Sequence, residues 1–220
     1  MTGARKCYMC DADGVTREHV PPLSFFPKGF RTNLWTVPSC AAHNLDNAPD
    51  VEYVRNVIVS HRDAAGEAHR LAQDASFRSF ERSAALFVRT FREVTPARVG
   101  GEETAVFRLD VPRLNRVMEA IAYALHYRER GLTYDGRWRV FSPTLLSAKD
   151  VRGIPTDWRA LREIVRAIPI TPAATPVPEV FRYGTHTWDE RHFTYAFEFY
   201  GGFQVFVWTR PSQEEGGGEP

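Results

Sequence analysis

A chain of 220 residues with 43% hydrophobic and 25% charged side chains has the make-up of a globular protein that buries a real core, as one domain with an appended module or as two small domains. Its formal net charge of +1 gives no support for whole-molecule steering to nucleic acid and leaves only a local basic patch open. No charged start with an apolar run and small-residue cleavage site opens the chain, and no apolar run could span a bilayer, so a secreted or membrane-embedded protein is not expected and a cytoplasmic one is.

In chain order, Cys7 to Asp13 reads as a knuckle, two thiols two residues apart followed by the turn dipeptide Asp13-Gly14. Val15 to Val20 reads as a short strand stopped by Pro21-Pro22, and Asn33 to Val37 as a second strand closed by Pro38. Ser39 then caps a helix that sets Cys40 and His43 one turn apart on one face. Pro49 breaks that helix, and Asp50 caps another carrying Val51, Val54, Val57 and Ile58. Gly66 to Val94 has one long helical pattern, with Phe77, Phe80, Ala84, Phe87, Val88 and Phe91 as a core-facing stripe. Thr104 to Asp110 is strand-like, and Pro112 begins a helix stopped by Gly131. A strand is expected over Trp138 to Leu146, a helix over Thr156 to Ile168 and a stiff proline-rich connector over Pro169 to Pro178. A hairpin follows: Phe193, Tyr195, Phe197 and Phe199 alternate inward, Gly201-Gly202 turns the chain, and Phe203, Val205 and Val207 alternate back. Its aromatic residues suit one face of a sheet core better than a base-stacking platform. The tail from Ser212 has a disordered composition.

An odd count of three cysteines, two of them in CxxC spacing, argues against a disulfide framework and for metal ligation in a reducing compartment. With His43 they make a CxxC…CxxH set, Cys7, Cys10, Cys40 and His43, two ligand pairs of the kind that closes a tetrahedral structural Zn2+ site. Such a site would staple a ββα unit too small to hold itself together. The other histidines, His61, His69, His126, His186 and His192, form no convincing ligand pair.

Inside the knuckle lie Glu18, His19 and Asn33, and just after it lies Asn44. If the metal pins the second half beside the first strand, a carboxylate, an imidazole and an amide oxygen surround one gap. Hard divalent ions take such oxygens, and a neutral imidazole can take a proton from an attacking water. The combination suits metal-assisted hydrolysis of a phosphodiester. Each residue alone has a plainer reading: a solvated strand-end charge, a hydrogen-bonded histidine, and turn or cap asparagines.

The pattern CYMC…EH…NLWTVPSC…HN resembles the zinc-bearing branch of the HNH endonucleases, members of the ββα-metal superfamily, over roughly the first fifty residues. The resemblance implies His19 as general base, Asn33 as the residue orienting it, and Glu18 and Asn44 as ligands of a catalytic Mg2+ or Mn2+. Three departures accompany it: Glu18 is longer than the usual Asp, Asn44 is a weaker ligand than His, and the gap from Asn33 to Cys40 is long. Asp46, Asn47 or Asp50 could supply the second ligand instead. Arg17, Lys28, Arg31 and Arg55 flank the motif as candidate phosphate contacts, with scattered surface arginine as the bland alternative.

The expected architecture is α+β: an HNH-like, treble-clef-like ββα-metal unit over residues 1–60, a mainly helical domain with a C-terminal β-hairpin over 61–211, and a tail over 212–220. The expected function is metal-dependent endonuclease action on DNA, with RNA as a second substrate class. The alternative is a zinc-stapled nucleic-acid- or protein-binding module that never cuts. The sequence leaves the oligomeric state open, a homodimer included.

Overall fold

The computed structural model describes residues 5–45, 48–99, 101–145 and 163–209, and it is α+β. The expected tail over 212–220 and the expected helix up to residue 162 lie outside the described residues, and 163–167 are helical. Strands β1 (Thr16–His19) and β2 (Thr36–Ser39) form a two-stranded antiparallel sheet with Glu18 opposite Val37 and His19 opposite Thr36. Two 3-10 turns, Leu23–Phe25 and Lys28–Phe30, fill the connection. The second strand starts later than expected and contains Pro38. In a two-stranded sheet one edge of each strand is unpaired, so Pro38 forfeits no ladder bond there, and its carbonyl accepts from Tyr8 N at 2.9 Å.

The expected helix from Ser39 is a single 3-10 turn, Ala41–His43. Ser39 does not cap it; its hydroxyl donates to the Cys40 carbonyl at 3.0 Å. Helix α1 (Pro49–Val59) opens on Pro49 rather than being broken by it, since the missing N–H of proline is no loss in a first turn. Asp50 is not its cap, and sits in the first turn paired to Arg113 at 2.6 Å and Arg116 at 2.8 Å. Those partners lower its pKa against the opposing effect of burial.

The single long helix expected over Gly66 to Val94 is two helices and a strand. Helix α2 (Glu67–Arg82) ends where Ser83 caps α3 (Ala84–Thr90) by accepting from Leu86 N at 3.2 Å, and β3 (Arg92–Val99) pairs with β4 (Glu102–Arg108). The phenylalanine stripe is not core. The residues α2 buries are Ala68, His69, Ala72 and Ser76, small enough to bring it close to α1, while Phe77 and Phe87 remain 46% and 44% exposed.

Helix α4 (Val111–Arg130) is the central element. Asp110 caps it by accepting from Arg113 N at 3.3 Å, and Gly131 closes it in the left-handed region with φ 72°, donating to Tyr127 O at 2.7 Å. It packs against α1 and β2 and against a five-stranded antiparallel sheet ordered β5-β9-β8-β7-β6. The strands are β5 (Trp138–Phe141), β6 (Thr171–Ala173), β7 (Phe181–Thr187), β8 (Phe193–Phe199) and β9 (Phe203–Thr209). The expected hairpin is thus the centre of a larger sheet, and part of the expected connector is an edge strand. The turn uses Tyr200 and Gly201, both at positive φ, rather than Gly201-Gly202. Gly202 is needed for another reason: an added Cβ would lie 1.8 Å from the Asp63 carbonyl oxygen.

The inward aromatic residues of β7, β8 and β9 are core, as expected, and one continuous apolar cluster runs from Cys7 and Tyr8 through α1 and α4 to Val207. Tyr183 and Tyr195 donate to the two carboxylate oxygens of Glu129 on α4 at 2.8 and 2.9 Å; burial, with that charge beside them, pushes both phenols up. His126, buried against the Tyr134, Trp138 and Phe193 rings, is pushed down to about 4 by burial first and Arg130 second. No helix among the described residues is long and apolar enough to cross a membrane.

Two predictions follow from the packing. Gly202→Ala should destabilise the fold by about 2 kcal/mol or more in chemical denaturation, because the carbonyl it meets belongs to the backbone. His126 takes a proton more readily unfolded than folded, so its contribution is present above its ordinary value of 6.5 and is lost as pH falls toward about 4. The Tm of wild type should therefore fall more steeply from pH 7 to pH 4.5 than that of His126→Phe, read by circular dichroism.

Candidate metal centre and adjoining crevice

The chain folds back at each half of the knuckle before any side chain is considered. Cys7 N donates to Ala12 O at 2.8 Å and Gly14 N to Arg5 O at 2.8 Å, closing a tight loop around Cys10. Gly14 is required by a close approach, since an added Cβ would lie 2.5 Å from the Cβ of Pro38. The second half is the 3-10 turn after β2, held by His43 N donating to Cys40 O at 3.2 Å. Pairing of Thr16 with Ser39 brings the two halves together.

The result is a Cys3His group whose ligand atoms, from Cys7, Cys10, Cys40 and His43, all lie within 4.8 Å of one another. His43 Nδ1 is 3.5 Å from Cys7 Sγ and 3.4 Å from Cys40 Sγ, and the Cys10 and Cys40 sulfurs are 4.0 Å apart. A tetrahedral ion with bonds of about 2.3 Å to sulfur and about 2.0 Å to nitrogen sets S–S edges of about 3.8 Å and S–N edges of about 3.5 Å. These three edges lie close to those values, and the three cysteines are free thiols. The group could hold a metal ion such as zinc, and the expected ligand quartet is brought together in full. Residues outside the motif brace it: Tyr8 OH donates to the His43 carbonyl at 3.0 Å, and Thr133 Oγ1 donates to the Cys7 carbonyl at 3.1 Å.

Beside this centre, the segment leaving His43 lies along β1. Asn44 Nδ2 donates to Thr16 Oγ1 and to the Arg17 carbonyl, both at 3.1 Å, and Leu45 N donates to Glu18 Oε2 at 2.5 Å. Glu18 is 2% exposed, its side chain on the core face of β1 opposite Val37, whereas His19 is half-buried opposite Thr36. Glu18, His19 and Leu45 line one crevice with Tyr8, Pro22 and the small residues Ala120 and Ala124 of α4. Its volume is about 10 Å³, room for about one water.

Glu18 and His19 thus share this crevice, while the Asn44 side chain bonds toward the start of β1, at Thr16 and the Arg17 carbonyl. Asn33 is exposed in the turn before β2 at φ 55°, a left-handed position that asparagine tolerates well. Of the alternative ligands, Asp46 and Asn47 lie outside the described residues, and Asp50 is engaged by two arginines. Among the flanking cations, Lys28 is exposed, Arg17 bonds Thr36 at 2.8 Å, and Arg31 donates to Phe26 O at 2.8 Å. Arg55 is half-buried with its guanidinium on Asn56 Oδ1 at 3.0 Å, and burial lowers its pKa. Sequence reasoning missed the braces, Tyr8, Thr133, Leu45 and the alanines of α4. Only Tyr8, between the two cysteines, carried a signal. Comparison with protein-family models, with curated proteins and with solved structures found no match.

Purified protein should carry one zinc per chain by metal analysis. Cys40→Ser should lose that zinc and lower Tm by about 6–10 °C, the shift that about 3 kcal/mol produces in a chain of this size.

Proposed function

We propose that this chain is a divalent-metal-dependent endonuclease of the HNH type, built on a zinc-stapled ββα-metal unit and hydrolysing DNA phosphodiester bonds. One observation supports the reading: the segment after the Cys3His group docks on β1, with Leu45 N bonding Glu18 in the crevice it shares with His19 and Asn44 bonding Thr16 and the Arg17 carbonyl one residue before Glu18. The element order β1, β2, α1 is that of a ββα unit. In this reading His19 takes the proton from the attacking water, and Asn33 steadies the loop that precedes β2. Glu18 and Asn44 would hold Mg2+ or Mn2+, which when bound offsets the charge of the phosphate. A carboxylate and an amide oxygen are donors that fit such a cation. Arg17 and Lys28, exposed cations flanking the motif, would meet the DNA backbone.

A second reading has a specific observation in its favour. Glu18 is buried and accepts from Leu45 N, a bond that suits a structural carboxylate. On that reading the unit is a zinc-stapled binding module for nucleic acid or protein and does not cut. A nicking assay on supercoiled plasmid with Mg2+ or Mn2+ separates the two. Wild type should nick, and His19→Ala should be slower by about 100-fold or more, as for loss of a general base. Equal rates for the two proteins across both metals would sink the nuclease reading.

A further inference from the structure

We infer that the limb made by the end of α2, α3 and the β3–β4 hairpin is a docking surface for a nucleic-acid strand whose bases are unstacked. The inference deepens the nuclease reading and rests on it for the choice of polyanion.

Four observations converge on this limb. First, Phe80, Phe87, Phe91 and Phe107 form a chain of ring contacts, with centroids 5.7 Å apart for Phe80–Phe87, 5.1 Å for Phe87–Phe91 and 4.9 Å for Phe91–Phe107. This cluster stands beside the main core, and its outer members are open to solvent: Phe77, Phe87 and, at 65%, Val88. Second, residues 78–92 carry four arginines against one glutamate, a basic stretch within a chain of net charge +1. Third, a cleft of about 360 Å³ opens beside it, lined by Arg89, Arg92 and Arg108 against the acids Glu93 and Asp110, together with Tyr53 of α1.

The fourth observation concerns register. Arg92 stands directly opposite Arg108 in the β3–β4 ladder, and like charges so placed repel. Glu93 relieves half of this. It sits in the left-handed region at φ 52°, where the ladder is irregular, and pairs with Arg108 at 2.8 Å. Arg89 and Arg92 have no ion pair among the described residues. An anion held between guanidinium groups would remove the remaining repulsion, and phosphate matches their forked donors.

The flanking rings decide what kind of phosphate. A free phosphate has no use for a half-exposed phenylalanine on the same short helix as Arg89, whereas a single strand places bases on such rings while its backbone follows the cations. A second copy of this chain would bring its own arginines against these. Helix α1 links the limb to the candidate active site: its first turn follows the Asn44–Leu45 segment, and Tyr53, one turn on, lines the cleft and accepts from Asp110 N at 2.7 Å.

The test is fluorescence anisotropy with a labelled single-stranded oligodeoxynucleotide of mixed sequence, without added Mg2+ or Mn2+, and with unlabelled duplex as competitor. Arg89→Glu with Arg92→Glu should weaken binding at least about tenfold and lower the salt slope by about 1.4, at about 0.7 per lost phosphate contact. Phe87→Ala should weaken binding about fivefold with the salt slope unchanged, the loss of one stacked base. The arginines are exposed, so the double variant keeps the test decisive should Phe87→Ala misfold. Unchanged affinity in the double variant overturns the proposal, and so does a duplex that competes better than the single strand. Dimers in sedimentation that Phe87→Ala separates would also overturn it, marking a self-interface. His19→Ala must bind as wild type does. Normal binding by a protein that never nicks would keep the docking surface and reject the nuclease reading.

Discussion

Four potential ligand atoms on two chain segments converge within 4.8 Å of one another, where an ion could tie the segments together. The knuckle of residues 7–13 is two backbone hydrogen bonds and a turn, and the second half is one 3-10 turn. Neither would persist alone. The pairing of β1 with β2 brings the four ligands together, and the same register decides which side of the pleat Glu18 and His19 occupy. A slip of one residue would exchange the buried carboxylate for the half-buried imidazole. Everything said of a catalytic constellation depends on that pairing.

A second economy runs through charge. Among the described residues, the acids offered as possible ligands have partners: Asp50 holds Arg113 and Arg116 to the start of α1, and Glu18 anchors the backbone at Leu45. The burial of Glu18 is tolerable because an N–H meets it. A carboxylate in that setting can be a structural anchor or a metal ligand in waiting. The limb around Arg92 shows the reverse arrangement, with Arg108 paired to Glu93 while Arg89 and Arg92 have no ion pair among the described residues.

The metal quartet was legible in the sequence because ligand chemistry is sparse: every cysteine takes part, and spacing restricts what they can do. Helix α4 was legible because Pro112, Gly131 and its apolar stripe all agree. The phenylalanine stripe misled, because helical period marks a helix face without saying what covers it; the buried face of α2 is made of Ala68, Ala72 and Ser76, which carry little hydrophobic signal. Strands β6 and β7 were missed since prolines, glycine and polar residues interrupt their alternation. At the candidate site, residue types were readable and their company was not. That Tyr8 and Thr133 would bond backbone carbonyls of the ligand residues depends on contacts across 126 residues of chain in the longer case.

The hydroxyl of Thr133 on the Cys7 carbonyl joins the knuckle to the chain just beyond α4, and α4 in turn carries the five-stranded sheet. Ion affinity in such a molecule is a property of the whole chain. Whatever free energy the ion contributes to the cluster is shared with the packing of α4, and by linkage the same quantity returns as tighter or looser hold on the ion when the sheet is strengthened or weakened. If the quartet holds an ion, a substitution in the aromatic core, far from any thiol, would thus register as a change in the hold on that ion, and a fragment ending before α4 would bind it less well than the intact protein.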